Sequence, residues 1–317
     1  PRPSGSENPS RDRQGASVFS TRAIVMYSLL IFLAAIAPAQ PTSHEDENPL
    51  FKSLLDPGLV VGPDLRVKFP EPMMPDGLTA DQQKAIINKL IDSDYTFEGF
   101  TRKSQVAPNI LRIRDAQPSD PKSPSRGLDT YFVAYVDLKS FDDERFLERS
   151  LNIGKGEGGK GKAITRDDLI KRGIDPKKLD MKKEGYAHIE FDFLDKVRLR
   201  VTGRGMASKT ADSIVAAAEV DSRFRGDKEF PNEWQSLSKA SGKLEVGPNT
   251  PYGGSGMYVK ITKLIEPAGA VFVEQHIIFA EPTGWFGGAN LLRSKLPPVV
   301  TVSVRRMREA WAKGVGK

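Results

Sequence analysis

The side chains of His188, Glu190 and Asp192 have types and a spacing that could bind a divalent cation. They alternate with apolar residues, so a β-strand would present all three on one face. An imidazole and two carboxylates are ligands that zinc and similar metals accept. Arg198 and Arg200 follow on the next predicted strand and would compete for these carboxylates. We therefore interpret the set as a salt-bridged solvent face, with a metal site as the alternative.

A second polar pair, Glu274 and His276, shares one face of a predicted strand and could act as a general acid and base. Phe272 and Ile278 flank the pair on the same face, which favours a polar pair inside a partly buried sheet. The sequence contains no G-x-S-x-G motif around a serine nucleophile. We expect no catalytic residues, no metal and no cofactor, and an enzyme is the third of three functional hypotheses.

Residues 154–162, GKGEGGKGK, match part of a phosphate-binding loop. Gly161 stands where such a loop needs the serine or threonine that holds magnesium. We therefore interpret the segment as a flexible cationic loop within a basic surface insertion at 154–185.

Trp285 and Phe286 are adjacent aromatic residues between glycines, in a segment that joins a predicted strand to a predicted helix. Such a segment suits a mobile loop that closes over an apolar ligand. The alternative is an aromatic plug in the junction between the helix and the sheet.

The chain has 317 residues, three histidines and no cysteine. The absence of cysteine excludes disulfide scaffolds, thiolate zinc sites, iron–sulfur clusters and cysteine nucleophiles. Nucleic-acid binding needs basic residues interleaved with exposed aromatics, and the basic insertion has almost none of the latter. We therefore expect no nucleic-acid partner.

The charge is distributed unevenly along the chain. Residues 40–150 hold 14 basic and 19 acidic residues, a net −5, whereas residues 151–317 hold 29 and 20, a net +9. This asymmetry suggests a polyanionic surface or partner for the basic half, with an uneven solvated surface as the alternative.

Residues 23–37, AIVMYSLLIFLAAIA, carry no charge and match the apolar core of a signal peptide. The stretch is shorter than the roughly 20 residues that span a bilayer as a helix. Arginines precede it, and Ala37-Pro38-Ala39 supplies a small-x-small cleavage site. The sequence predicts a signal peptide region at 1–39 and an exported protein, periplasmic or extracellular. An uncleaved membrane anchor at 23–37 is the alternative.

Seven prolines within residues 40–78 predict a proline-rich linker or a strap along the surface of one α+β domain at 79–317. The domain begins with a capping box, Thr79-x-x-Gln82, which predicts an amphipathic helix over about 80–92. Strands are predicted at 109–115 and 128–138.

The segment 186–204 predicts a β-hairpin whose register follows from its alternation. A three-residue loop at 194–196 pairs Phe191 with Leu199 and Ile189 with Val201. The same register places Glu190 opposite Arg200 and Asp192 opposite Arg198. Each such charge pair contributes only about 0.2–1 kcal/mol, so the apolar face is expected to stabilise the hairpin.

Further strands are predicted at 213–224, 257–266 and 269–281, the last two as a hairpin. The chain then predicts a helix from Gly288 to Leu296, a break at Pro297 and Pro298, and a second run to Trp311.

The chain resembles a family of uncharacterised exported proteins of planctomycete-type bacteria in three segments. They are GAVFVEQHIIFAEPTGWFGGANLLRSKLP from residue 269, RGLDTYFVAYVDL from residue 126 and FPNEW from residue 230. This resemblance covers most of residues 80–310 and implies no established activity.

The order of elements resembles the helix-grip arrangement of START-type lipid-binding domains: a leading helix, an antiparallel sheet and a long closing helix. That resemblance implies an α+β fold in which the closing helix and a nearby loop cover an apolar cavity. The residues that it implies for ligand binding, with those of the neighbouring strand, are Phe272, His276, Trp285, Phe286, Val300, Val304, Met307 and Trp311.

The sequence as a whole favours an exported, non-enzymatic protein that binds an apolar or amphipathic ligand, such as a lipid, in the cell envelope. A cavity of about 300 Å³ or more under the closing helix is expected for that function. The alternative is a structural or interaction protein that binds anionic envelope polymers through its basic C-terminal half. Membrane association is expected only through an uncleaved signal segment.

Overall fold

The computed structural model describes residues 43–62, 65–116, 124–143, 146, 160–175, 184–240, 243–286 and 291–314. The predicted signal peptide, residues 1–39, and the glycine-rich residues 154–159 lie outside these ranges. Within the described ranges, no helix is both long and apolar enough to cross a membrane. The α-helices, numbered in chain order, are α1 (His44–Glu47), α2 (Pro49–Leu55), α3 (Ala80–Ile91), α4 (Phe97–Thr101), α5 (Arg166–Lys171) and α6 (Leu291–Gly314).

The strands form one large antiparallel sheet and a separate two-stranded ribbon, β1–β2. The path across the large sheet is β3-β4-β13-β12-β8-β7-β6-β5, and β9 pairs with the first four residues of β7 and also with β10 and β11. The bounds are β1 (Leu59–Val60), β2 (Arg66–Val67), β3 (Asn109–Asp115), β4 (Ser125–Tyr135), β5 (Lys160–Ala163), β6 (Glu184–Phe193), β7 (Val197–Lys209), β8 (Ser213–Val220), β9 (Glu233–Ala240), β10 (Lys243–Val246), β11 (Thr250–Pro251), β12 (Ser255–Lys263) and β13 (Ala270–Ala280).

The predicted fold class is confirmed: the chain is α+β, with an antiparallel sheet, an N-terminal helix and a long C-terminal helix packed on it. Two local predictions are confirmed in detail. The capping box at Thr79 and Gln82 begins α3. The β6–β7 hairpin has the predicted register, with Phe191 opposite Leu199 and Asp192 opposite Arg198.

Strand β13 is buried at every residue. Alternate side chains of a strand point to opposite faces, so this sheet has two covered faces. We call the face covered by α6 the helix face; it carries Ala218, Met257, Ile277 and, below the Arg308 guanidinium, Phe132. The opposite face carries Ala217, Tyr258, Glu274, His276 and Tyr131, and we call it the strap face.

Residues 43–62 and 65–78, within the predicted proline-rich linker, pack on the strap face, and we call them the strap. Leu50, Phe51 and Leu54 of the strap are buried in the main hydrophobic core. The ring of Phe51 lies 5.1 Å from that of Tyr258, edge to face. The strap therefore contributes to the core, which its proline content did not indicate.

The predicted break at Pro297 and Pro298 is wrong, because α6 runs through both prolines. A proline inside a helix costs about 3 kcal/mol through a lost hydrogen bond and a clash with the preceding turn. Leu296, Val300 and Val304 are almost fully buried on either side of the prolines. Burial of each such side chain contributes about 1.5–3 kcal/mol, so the three together offset a cost of similar size from the two prolines.

A buried polar network fixes the N-terminal end of the strap to the sheet. His44 Nε2 lies 2.6 Å from Ser213 Oγ, and His44 Nδ1 lies 2.8 Å from Ser208 Oγ. Ser213 Oγ also donates to Asp76, and the ammonium of the buried Lys260 lies 2.8 Å from the same carboxylate. Burial lowers the pKa of His44 to about 4; Asp76 opposes this shift and Lys260 adds to it.

We expect the strap to lose stability in mild acid because of His44. Its pKa is about 4 in the folded chain and about 6.5 in the unfolded chain, so the unfolded state binds the proton first as the pH falls. The free energy of unfolding should therefore decrease between pH 6.5 and pH 4, by up to about 3 kcal/mol. Urea unfolding at pH 7, 5.5 and 4.5, with and without His44→Asn, measures this contribution.

The variant isolates His44 because the other two histidines titrate in both proteins. The stability advantage of the wild type over His44→Asn should shrink as the pH falls. An advantage that is constant across this range would contradict the role assigned to His44.

Candidate ligand-binding cavity

A cavity of about 110 Å³ lies on the helix face, at the end of the sheet formed by β6, β7 and β8. Side chains from these strands meet others from β12, β13 and β4. Its lining is mainly apolar and consists of Leu128, Ala187, Ile189, Phe191, Phe193, Leu199, Val201, Gly203, Ala218, Glu219, Val220, Tyr252, Ser255, Gly256, Met257, Ile277, Phe279 and Trp285.

The alternation of the β6–β7 hairpin builds much of this lining. Ile189 and Phe191 of β6 lie opposite Val201 and Leu199 of β7, and all four side chains turn to the helix face. Ile189, Phe191 and the neighbouring Val220 are only half-buried. Half-buried apolar side chains at the edge of a cavity form a rim through which an apolar molecule can enter.

An aromatic cluster closes the other end of the cavity, and we call it the aromatic end. Trp285 is its centre: the indole stacks on Tyr252 with ring centroids 5.5 Å apart and on Phe279 with centroids 6.2 Å apart. Trp234 packs against Trp285 edge to face, with ring centroids 6.0 Å apart and an interplanar angle of 68°. Aromatic pairs with such geometry contribute about 0.5–1.5 kcal/mol each beyond burial, so Trp285 is held rigidly.

The cavity holds few charges. Glu219 is the one acidic residue of its lining, and strand alternation turns its side chain to the strap face, 2.8 Å from the guanidinium of Arg204. Among the residues that the structure describes, no lysine or arginine belongs to the lining. Burial raises the pKa of Tyr252 above its ordinary value, so its phenol stays protonated. The cavity wall described here is therefore electrically neutral.

Of the residues that the sequence predicted for ligand binding, Trp285 lines the cavity. Phe286 packs beside it, 5.9 Å away, and outside the lining. Val300, Val304, Met307 and Trp311 are buried in the core beneath α6 and also lie outside the lining. The ring of Trp311 packs against Phe141 at 5.3 Å. The cavity thus lies beside the closing helix, and its volume is below that expected from the sequence.

Phe272 and His276 lie on the strap face, away from the cavity. Phe272 stacks on Tyr131 within the smaller core under α3. His276 Nδ1 lies 2.8 Å from Asp129, and its Nε2 lies 3.6 Å from Glu274. All three ionisable groups of this network are at least 94 % buried, so they have no access to a substrate from solvent.

The polar network of the strap face is structural. Glu274 accepts hydrogen bonds from the backbone N–H groups of Met73 and Met74, at 2.7 and 3.3 Å, and so fixes the strap. Burial by itself lowers the pKa of His276, but the neighbouring carboxylates of Asp129 and Glu274 have a larger effect. The pKa of His276 is therefore raised above its ordinary value. The predicted acid–base pair therefore holds two layers of the fold together.

The residues of the alternative metal site are occupied by ion pairs. Asp192 accepts from Arg198 at 2.7 Å, and Glu190 lies 3.5 Å from Arg200. His188 Nδ1 lies 2.9 Å from Thr202 Oγ1. Among the described residues, no group of three or more ionisable ligands has a metal-binding arrangement.

The sequence reasoning missed most of the cavity lining, although one signal was available. The sequence predicts the apolar face of the β6–β7 hairpin correctly, but it gives that face only the role of stabilising the hairpin. Six apolar positions of that face border the cavity: Ala187, Ile189, Phe191, Phe193, Leu199 and Val201. What covers a strand face is decided by distant residues, here Tyr252 and Trp285.

No protein-family model and no curated protein matches the chain. Among solved structures, an uncharacterised protein from Rhizobium leguminosarum gives a TM-score of 0.30 at 8% identity, over 60% of this chain and 98% of its own. The lipid transfer and protein localization domain of human StarD13 gives a TM-score of 0.31 at 8% identity, over 64% of this chain and 89% of its own. The relation to exported planctomycete-type proteins stays a prediction.

Two neighbouring alanines of β8 test the position of the cavity. Ala218 lines it, whereas Ala217 lies on the strap face, where α2 packs on β8. Ala218→Ile should change the free energy of unfolding by less than about 1 kcal/mol, because the added carbons enter free space. Ala217→Ile should lower the free energy of unfolding by about 1–3 kcal/mol, because that site is already filled. Urea denaturation measures both, and equal losses would contradict the cavity.

Proposed function

We propose that this protein binds a small apolar ligand, without catalysis, in the cavity of the helix face. The observation that carries the proposal is a neutral, mainly apolar cavity with a half-buried apolar rim at one end and a rigid aromatic cluster at the other. Ligand pockets in proteins are concave, mainly apolar and largely preformed. The α+β fold, in which β-strands and loops enclose this space, supplies a rigid wall.

The volume limits what the cavity can hold. An apolar cavity of about 150 Å³ accepts benzene and stays free of water. At about 110 Å³, this cavity fits a ring or a short branched chain of a few carbons. A longer lipid would have to leave its remaining atoms at the rim formed by Ile189, Phe191 and Val220.

The lining favours binding over catalysis. Its hydroxyl groups belong to Ser255 and Tyr252, and Tyr252 Oη donates to the carbonyl of Ala280 at 3.4 Å. A serine nucleophile needs a base within hydrogen-bond reach. Among the described lining residues, no histidine is present, and the carboxylate of Glu219 pairs with Arg204 instead.

The place of action that we propose is the cell envelope. The uncharged segment 23–37 and its small-residue exit support export, and the cysteine-free composition is compatible with either redox compartment. N-terminal sequencing of the protein recovered from its own cells tests this separately from binding.

A titration with methylenecyclohexane, a neutral hydrocarbon of seven carbons, tests the binding proposal. We expect saturable chemical-shift changes at the methyl groups of Leu199, Val201 and Ile277, which line the cavity. Ala218→Ile should weaken the affinity at least tenfold, because its side chain fills the space. Ala85→Ile adds the same carbons at an exposed position of α3, outside the cavity lining, and should leave the affinity unchanged. No saturation in the wild type would reject the proposal.

A second function, binding to an anionic envelope polymer, is favoured by the outer side of α6. Its exposed cations have no ion-pair partner among the described residues, and Glu309, half-buried, is the one acidic residue of the helix. Unpaired cations on one surface attract polyanions. These cations are Arg293, Lys295, Arg305, Arg306 and Lys313.

Elution from a heparin column, a polyanionic probe, tests this second function. Replacement of Arg305 and Arg306 by glutamate should lower the salt concentration of elution markedly. Lys239 and Lys243 are exposed on the β9–β10 hairpin, and their replacement by glutamate gives the same change in net charge at another place. This second pair should lower the salt concentration of elution less. Equal effects of the two pairs would assign retention to net charge alone.

A further inference from the structure

We infer that the ligand is an uncharged molecule with a carbonyl-type oxygen, and that this oxygen accepts a hydrogen bond from the indole N–H of Trp285. The inference deepens the proposed function and rests on it. It comes from the polar atoms of the aromatic end, which the apolar lining alone does not explain.

The first observation is an unsatisfied donor. Trp285 is 97 % buried, lines the cavity, and its Nε1 has no hydrogen-bond acceptor among the described residues. The same holds for Nε1 of Trp234, whose ring lies 6.0 Å from that of Trp285. Buried donors are almost always paired in native proteins, because an unpaired donor has lost its hydrogen bond to water and gained no other bond in its place. Of these two donors, only Trp285 belongs to the described cavity lining, so Trp285 is the donor that a ligand in the cavity can reach.

The second observation is that Trp285 cannot turn to another acceptor. Its ring is nearly parallel to those of Tyr252 and Phe279, with interplanar angles of 12° and 17°. Phe193 and Phe286 contact it from further sides, at 6.1 and 5.9 Å. The direction of the N–H is therefore set by packing, as is required of a group that orients a ligand.

The third observation excludes an anionic headgroup inside the cavity. The described lining contains no cation, and a buried carboxylate or phosphate without a cationic partner is strongly unfavourable. The carbonyl oxygen of a ketone or an ester accepts the same hydrogen bond without a charge. The acceptor is therefore an uncharged oxygen on a small apolar body.

Cyclohexanone and methylenecyclohexane test the inference as a pair. They have the same shape, and the ketone oxygen of one replaces the terminal carbon of the other. In the wild type, titration with cyclohexanone should move the indole proton of Trp285 downfield in a ¹H–¹⁵N spectrum, because that proton enters a hydrogen bond. Methylenecyclohexane should bind without this shift. The chain has three tryptophans, so the three indole signals are readily assigned.

Trp285→Phe supplies the energetic test, since it removes the donor and keeps an aromatic ring. Its affinity for cyclohexanone should fall about five- to tenfold, and its affinity for methylenecyclohexane should change less than about twofold. Trp311→Phe is the matched control: its Nε1 is also buried without an acceptor among the described residues, but it lies under α6 outside the cavity. It should leave both affinities unchanged.

The outcomes separate this inference from the proposed function. Suppose that both probes bind and that Trp285→Phe lowers the affinity for both equally, or that the indole proton of the wild type does not shift with the ketone. Either result refutes the hydrogen bond but leaves the apolar binding site supported. If neither probe binds to the wild type, the proposed function itself fails. Because the spectrum uses the wild type, the result holds even if Trp285→Phe does not fold.

Discussion

The burial of β13 on both faces is the constraint on which the rest of the structure depends. A strand that excludes water from both faces needs a covering layer on each, because its side chains alternate between them. The strap with α3 and α4 forms one layer, and α6 with the aromatic end forms the other. Each layer comes from a segment distant in sequence, so the central strands connect the two ends of the domain.

The two layers use different chemistry, and this difference determines where a ligand can bind. On the strap face, Glu274 and His276 bring charges that are satisfied by Asp129 and by backbone N–H groups of the strap. Most polar groups of that face are paired, although Thr262 Oγ1 and His276 Nε2 have no hydrogen-bond partner among the described residues. On the helix face, small residues such as Ala187 and Ala218 leave space that α6 does not fill, and the indole of Trp285 borders it. Free volume and an unpaired donor therefore occur together on one face.

The path of α6 shows how packing can outweigh a local preference. Pro297 and Pro298 each remove a helical hydrogen bond, yet the helix continues because its apolar stripe lies on the sheet. Arg308 strengthens this position: its guanidinium donates to the carbonyls of Val133 and Pro108, at 2.8 and 2.9 Å. A buried cation that is satisfied by carbonyl groups fixes the helix at one place, which keeps α6 beside the cavity and not over it.

The sequence by itself determined the elements whose signals are local. The capping box at Thr79, the register of the β6–β7 hairpin and the α+β class follow from side-chain spacing within a few residues, and the structure has all three. Only the tertiary structure decided which strand face is filled and which is hollow. The eight residues predicted for binding follow from the resemblance to helix-grip domains and from the neighbouring strand, and all but His276 are large and mainly apolar, a property shared by core and cavity residues. Among them, only Trp285 borders the cavity. Free volume in the interior depends on how segments that are distant in sequence pack together, and the residue pattern within one segment does not contain that information.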